Sequence, residues 1–331
     1  MSHINHLITH KAMLQTRAHI IRAIRDFFWQ QNFLEVETPT ILRLPGQEPY
    51  LSPIKLDVHD ETGRLYKGYL HTSPEYTMKK YLAAGFEKIF FIGKVFRDQE
   101  SFGGTHNPEF TMIEWYKTQA DVYTLMDDVE NLLKWLEKKI KKLNSNFQFH
   151  RFQMRDLWKK FVGVDLDQYL TNEAMFSLCR AKNYHPQTVE SYEDLFYRIF
   201  LNEIEPKLAK LGAIMIHHYP SPMASLSKLS ENFPGYAERV ELYINGLEIA
   251  NGFTELTDEK EQWRRLQEEQ ARRKKLNKEV FAVDMDFIEA VGQMPPSAGI
   301  ALGIDRLVMA LMGCNKIDDV ISLSAANLFK C

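Results

Sequence analysis

Cysteine is scarce in this chain. The three it has, Cys179, Cys314 and Cys331 among 331 residues, lie too far apart for a zinc ribbon or a disulfide framework. They read as reduced thiols of a cytoplasmic protein. No apolar run approaches the roughly 18 residues that a membrane span needs, and the N-terminus has no apolar leader segment. A surplus of basic charge is missing too: the net charge is −3, so nothing in the total advertises nucleic-acid binding. What is present is 45% hydrophobic content, enough to bury a sizeable core as one large domain or two small ones.

The most informative stretch runs from Phe96 to Tyr116, FRDQESFGGTHNPEFTMIEWY. The preceding KIFFIGKVF predicts a buried strand that ends at Arg97. A polar loop with Gly103 and Gly104 follows, and a second β-rich run begins near Glu109. Alternation places Phe110, Met112, Glu114 and Tyr116 on one face of that strand. An aromatic, a carboxylate and a phenol together are too polar for core and too apolar for plain surface. They suit a pocket floor that holds a flat ring and an ammonium group. Arg97, at the mouth of the loop, has the planar fork that grips phosphate or carboxylate.

Elsewhere, Leu14, Ile21, Ile24 and Phe28 recur at helical spacing between about Thr9 and Asn32, and Pro39 marks an extended segment. Residues 48–70 read as strands around the turn Asp60–Gly63. Ser73, Pro74 and Glu75 form a helix start, which capping alone explains. Residues 119–142 predict an amphipathic helix with a basic, solvated KKIKK end. Residues 150–210 carry mixed helical and loop signals and no recognisable chemistry. His217 and His218 should point to opposite faces of a strand, which argues against joint metal chelation. Asn245-Gly246 is a strong hairpin signal. That hairpin sets Glu241 diagonal to Glu248, within roughly 8 Å on one face, and two such carboxylates are either solvated or share a cation. Asn251, Phe253 and Glu255 have the opposite parity, and a bulge at Gly252 would bring them round to the same cavity. Residues 258–279 read as a charged, solvated helix. GIALGID is a glycine-punctuated strand that allows close ligand approach, and Asp305-Arg306 opens the last amphipathic helix.

Three segments in order carry a resemblance. Arg17–Ile41 resembles motif 1 of the class II aminoacyl-tRNA synthetases, Phe96–Tyr116 motif 2 of their lysyl branch, and Gly299–Leu311 motif 3. The resemblance implies an α+β fold: one class II catalytic domain over residues 1–331, an antiparallel sheet flanked by helices, with no anticodon-binding domain, and a homodimer joined through motif 1. It implies ATP as substrate, held by Arg97, Asp98, Gln99, Glu100, His106, Asn107, Phe110, Glu248, Ile249, Gly303 and Arg306. Adenine would lie between Phe110 and Arg306, with Mg²⁺ on Glu241 and Glu248, and Arg97 and Arg306 would serve catalysis. A lysine-like substrate would meet Ser73, Pro74, Glu75, Tyr116, Asn251, Phe253, Glu255 and Ala301. In that branch the counterpart of Glu75 holds the α-amino group and that of Glu255 the ε-ammonium.

Two positions depart from the synthetase pattern. Ser73 stands where alanine is usual and Ala301 where glycine is usual, and both match shortened members of the branch that attach (R)-β-lysine to elongation factor P. One added methyl is worth roughly 1–3 kcal/mol of discrimination. The resemblance therefore implies (R)-β-lysine or lysine as substrate, elongation factor P as acceptor, and no anticodon-dependent tRNA binding. The motif 2 loop has no arginine before His106-Asn107 and is one residue longer, so Gln99 and Glu100 compete for one ATP-contacting position. The rival readings are a compact lysyl-tRNA synthetase using L-lysine and tRNA, and an inactive paralogue serving as an amino-acid sensor.

Overall fold

Alternating and continuous apolar runs produce eleven strands in the computed structural model, which describes residues 2–140, 143 and 147–329. In chain order they are β1 (Leu34–Glu35), β2 (Ile41–Leu42), β3 (Lys55–His59), β4 (Leu65–Leu70), β5 (Lys88–Phe96) and β6 (Glu109–Thr118), then β7 (Phe149–Gln153), β8 (Ala213–Pro220), β9 (Tyr236–Ile244), β10 (Leu247–Thr254) and β11 (Ser297–Gly303). Eight of them form one sheet in the order β1-β5-β6-β11-β10-β9-β8-β7, and β2-β4-β3 form a small second one. From β5 to β8 every neighbour is antiparallel, as expected. The two edge strands, β1 and β7, pair in parallel instead.

Period-two alternation divides the large sheet into two faces. Ile113 and Trp115 of β6, Val240 and Leu242 of β9, and Ala298, Ile300 and Leu302 of β11 enter one core. Against them pack Ile20, Ile24 and Phe28 of the helix His3–Gln30, Leu125, Val129 and Leu133 of Val122–Lys139, and Leu307 and Val308 of Ile304–Met312. Removing a leucine or isoleucine from such a core costs about 2–5 kcal/mol. The opposite residues of the same strands line the cavity described below.

Residues 154–208 build a second core of their own. Leu157, Trp158, Phe196 and Phe200 pack there on Ile214 and Ile216 of β8. The first helix starts earlier than its apolar spacing suggests, because Ser2 accepts the Asn5 N–H at 3.2 Å and caps it. The KKIKK end of the third long helix runs partly outside the described residues, as does Cys331. The helix Glu259–Lys275 keeps a charged, solvated face as expected, while Gln262, Arg265, Leu266 and Arg273 are buried on its other side. A short helix, Ala325–Phe329, follows Ile304–Met312.

The histidine pair also departs from its reading. His218 has φ +59° at a register shift in β8, and the bulge breaks the alternation. Both rings are buried, with their Nδ1 atoms 2.6 Å apart. Among the described residues, no group of three or more histidine, cysteine or acidic side chains is placed to hold a metal.

One buried carboxylate ties the three motifs together. Asp305, 2% exposed, sits 2.5 Å from Arg17 Nη1 and accepts the Thr111 N–H at 2.9 Å.

Candidate active site

The cavity floor is a grid whose rows cross the strands. Register puts Glu114, Ala301, Asn251 and Glu241 in one row over β6, β11, β10 and β9. Two residues along, Tyr116, Gly299, Phe253 and Arg239 form the next. To the other side, Met112 faces Gly303, and Glu248 faces Tyr243. The middle strand presents its smallest residues here (Gly299, Ala301 and Gly303), so the sheet is hollowed into a trough. A Cβ on Gly299 would stand 2.1 Å from the Tyr116 ring, which only glycine lets lie against the strand.

A regular hairpin would send Glu248 and Asn251 to opposite faces. The register shifts between Glu248 and Ala250, and that extra residue brings Asn251, Phe253 and Glu255 onto the Glu248 face. The bulge therefore lies at Ile249 and not at Gly252. Gly252 pairs regularly with Val240 and Ile300. Its lack of a side chain instead admits the neighbouring strand, for a Cβ there would meet the Gly299 carbonyl at 2.8 Å.

The cationic end of the trough is a pocket of about 650 Å³ including its open mouth. Arg97, Glu100, His106, Asn107, Phe110, Glu248, Ile249, Asn251, Ala301, Gly303 and Arg306 line it together. Arg306 donates to the Glu248 carbonyl at 3.1 Å and to His106 Nε2 at 2.8 Å. Burial, with Arg306 beside it, lowers the His106 pKa and keeps the imidazole neutral to accept that bond. The Arg97 guanidinium lies 5.1 Å from the centre of the Phe110 ring, and its buried Nε has no hydrogen-bond partner. Asn107 is engaged structurally: its amide donates to the Glu109 carbonyl at 2.6 Å and accepts the Ala325 N–H at 2.8 Å. Asp98 and Gln99 are exposed and outside this lining, because Gln99 adopts φ +63° and turns the chain outward. Of the two rivals in the loop, Glu100 is the one brought to the pocket.

The anionic end is buried. Glu114, 1% exposed, accepts hydrogen bonds from Ser73 Oγ at 2.8 Å and Tyr116 OH at 2.6 Å. Burial and the neighbouring Glu75 push its pKa up to about 7, against the pull of those two donors. Ser73 Oγ also accepts the Glu75 N–H at 3.0 Å, the expected capping contact, although the helix proper runs Glu75–Ala83 with Pro74 as its flanking residue. From that helix Lys79 reaches inward, wholly buried, with Nζ 2.7 Å from Glu75 and 2.6 Å from Glu255. Burial raises the Glu255 carboxyl to about 8 even though Lys79 opposes it.

Glu241 is saturated. It accepts from Arg239 at 2.5 Å, Asn251 at 3.2 Å, Tyr219 at 2.6 Å and Tyr243 at 2.7 Å. A carboxylate has about four lone-pair directions, and all are taken. Glu248 differs, with a side chain 44% exposed and 3.9 Å from Arg306. The sequence reading missed Lys79, Arg239, Tyr219 and Tyr243. For Lys79 the signal on offer was the Glu75–Lys79 spacing of four residues, which on a helix normally marks a surface pair, and for Arg239 and Tyr243 it was their alternation with Glu241 along β9.

Comparison with known proteins matches residues 7–327 to the family model of tRNA synthetases class II (D, K and N). Among curated proteins, the chain is 37% identical over 316 residues to an elongation factor P–(R)-beta-lysine ligase of Haemophilus influenzae, covering 95% of each chain. It is 37% identical over 318 residues to the protein of that name from Mannheimia succiniciproducens, again over 95% of each. With the Yersinia enterocolitica protein of the same name it shares 36% over 316 residues, 94% of each.

Proposed function

The chain belongs to the class II tRNA synthetases of the D, K and N group and is a ligase, and from that premise we propose that it activates (R)-β-lysine with ATP and transfers it to a lysine side chain of elongation factor P. The observation that carries this reading is one trough with Arg97 and Arg306 at one end, beside Glu100 and Glu248, and the carboxylates Glu75, Glu114 and Glu255 at the other.

In this arrangement ATP occupies the cationic end, with adenine against Phe110 and Arg306 and the phosphates toward Arg97. The diamino acid lies across Ala301 and Asn251 with its ammonium groups toward Glu75 and Glu255. Its carboxylate oxygen attacks the α-phosphorus, a new P–O bond forms, and the bond to the leaving pyrophosphate breaks. Arg97 stabilises the charge that develops on the phosphoryl oxygens. An acceptor ε-amine then attacks the adenylate carbonyl, forming an amide and releasing AMP. Positioning and electrostatics suffice, so no protein nucleophile is required.

Glu248, whose carboxylate is partly exposed at the pocket, is the residue that would hold Mg²⁺. Glu241 would join only by giving up its longest contact, to Asn251. Once bound, Mg²⁺ neutralises phosphate charge. A homodimer through motif 1 belongs to the same proposal. It is supported by the exposed Ile4, Ile8, Trp29, Leu34 and Ile41, and light scattering on the purified protein tests it.

Mass spectrometry of elongation factor P after incubation with enzyme, ATP and each lysine isomer tests the function. The expected result is one aminoacyl adduct, formed faster with (R)-β-lysine than with L-lysine. Charging of total tRNA with no adduct on elongation factor P would overturn it.

A further inference from the structure

The diamino-acid end of the trough holds a cation of its own. Lys79 is 0% exposed, and a buried ammonium is retained only where partners offset its lost hydration. It takes one oxygen from each of two carboxylates, Oε1 of Glu75 and Oε2 of Glu255. The other Glu255 oxygen, Oε1, is buried with no hydrogen-bond partner. Lys79 therefore bridges the acids without using up their capacity, and an unfilled acceptor remains for a donor from outside.

We infer that Lys79 is a positioning residue for the substrate: its ammonium is a fixed counter-ion that leaves the three carboxylates Glu75, Glu114 and Glu255, once ionised, with a net charge of −2, matched to the two ammonium groups of a diamino acid. This deepens the proposed function and rests on it. Without Lys79, three carboxylates share one buried site with no cation among them, and their mutual repulsion opposes full ionisation. One would keep its proton and meet a substrate ammonium as a neutral group. Lys79 thus sets the pH above which the pocket accepts its substrate.

The groups facing this ammonium are few. Glu75 shares its helix, Glu114 and Tyr116 come from β6, and Glu255 follows β10. The helix Met285–Gln293 contributes only the Phe287 ring, its centre 5.8 Å from Nζ. Glu48 and Glu269 act on the cluster from beyond Glu75. Burial opposes the Lys79 charge, yet Glu255 and Glu75 overcome it and raise the ammonium above its usual value.

The test is ATP–pyrophosphate exchange with (R)-β-lysine, measured as kcat/KM from about pH 6 to 9, on the full-length wild type, Lys79→Met and Lys79→Arg. Removing a neighbouring opposite charge moves a carboxylate by roughly 1–3 pH units, so the acid limb of Lys79→Met should rise by at least about one unit. Lys79→Arg, which keeps the charge, should overlay the wild type. A Lys79→Met limb coincident with the wild type overturns the inference while leaving the proposed function standing. Absence of exchange in the wild type sinks that function and this inference with it. Where Lys79→Met does not fold, the double variant Lys79→Met/Glu255→Gln restores the charge balance. Recovery of a cooperative melt supports the counter-ion role, and failure to recover refutes it.

Discussion

Replacing Ser73 by alanine separates a helix-capping role from a role in the pocket. Ser73 Oγ makes two contacts: it accepts the Glu75 N–H at 3.0 Å and donates to the Glu114 carboxylate at 2.8 Å. Loss of a capping contact costs about 0.5–2 kcal/mol, and loss of a hydrogen bond to a charged group about 1.5–3 kcal/mol. Because Glu114 retains Tyr116 as a second donor, the total should fall near 2–4 kcal/mol, a drop of several degrees in melting temperature. The capping share has no bearing on protonation. The Glu114 share does: one pKa unit corresponds to about 1.4 kcal/mol, so losing the donor should lift Glu114 from about 7 by roughly one unit. Substrate ammonium groups need the ionised pocket, and the acid limb of kcat/KM for pyrophosphate exchange should therefore move up by a similar amount. A melt lowered by a few degrees with an unmoved acid limb would reduce Ser73 to a cap and refute the reasoning.

Glu255→Gln takes a buried partner from both Lys79 and the substrate, and truncating one side of such a pair costs about 3–5 kcal/mol. Exchange with (R)-β-lysine should fall by roughly two to three orders of magnitude, with the KM for ATP nearly unchanged. Asp305→Asn breaks the buried pair with Arg17 that joins the three motifs, and calorimetry should show a loss of about 3–5 kcal/mol. Stability should also depend on pH with a definite sign. Glu114 and Glu255 are raised to about 7 and about 8 by burial, so the ligand-free fold favours their protonated forms and loses stability as pH climbs from their unfolded values through the folded ones. Ammonium groups reverse that loss, and the thermal shift produced by (R)-β-lysine should be larger at about pH 8 than at about pH 6, as scanning fluorimetry would show.

Much of this was legible in the chain because it depends on local periodicity. Two-residue alternation alone puts Phe110, Met112, Glu114 and Tyr116 on one face, and Asn245 and Gly246 adopt the positive φ angles, 53° and 81°, that their hairpin turn requires. What escaped depends on backbone irregularity or on burial. The bulge falls at Ile249, a β-branched residue with no turn chemistry to announce it, while Gly252, the usual marker, serves close strand approach. His218 bends its strand in the same unannounced way. Lys79 looks like half of a solvent-facing pair until the Glu75–Ala83 helix is laid over the sheet and that face becomes the inside. Arg239 and Tyr243 flank Glu241 along β9, and only the strand order brings Tyr219 of β8 beside them.

The charge division of the trough explains why a diamino acid would react at the right end. On the proposed reading its carboxylate would be drawn toward Arg97 and Arg306 and its ammonium groups toward Glu75 and Glu255, and a reversed pose would bury like charges against each other. Between the two ends the floor is nearly featureless: Ala301 offers a methyl, Gly299 and Gly303 offer none, and Asn251 is held by Glu241. Orientation is therefore set at the extremities and reach by the floor. If the reacting carboxylate lies there as proposed, a methyl at Ala301 would shorten the space beside it without altering either field, and would discriminate between α- and β-placement of an amine while both isomers keep the same polarity. Rearranging the charges would change which class of molecule binds. Adding or removing one carbon in the floor changes only which isomer of that class is brought within reach of the α-phosphate.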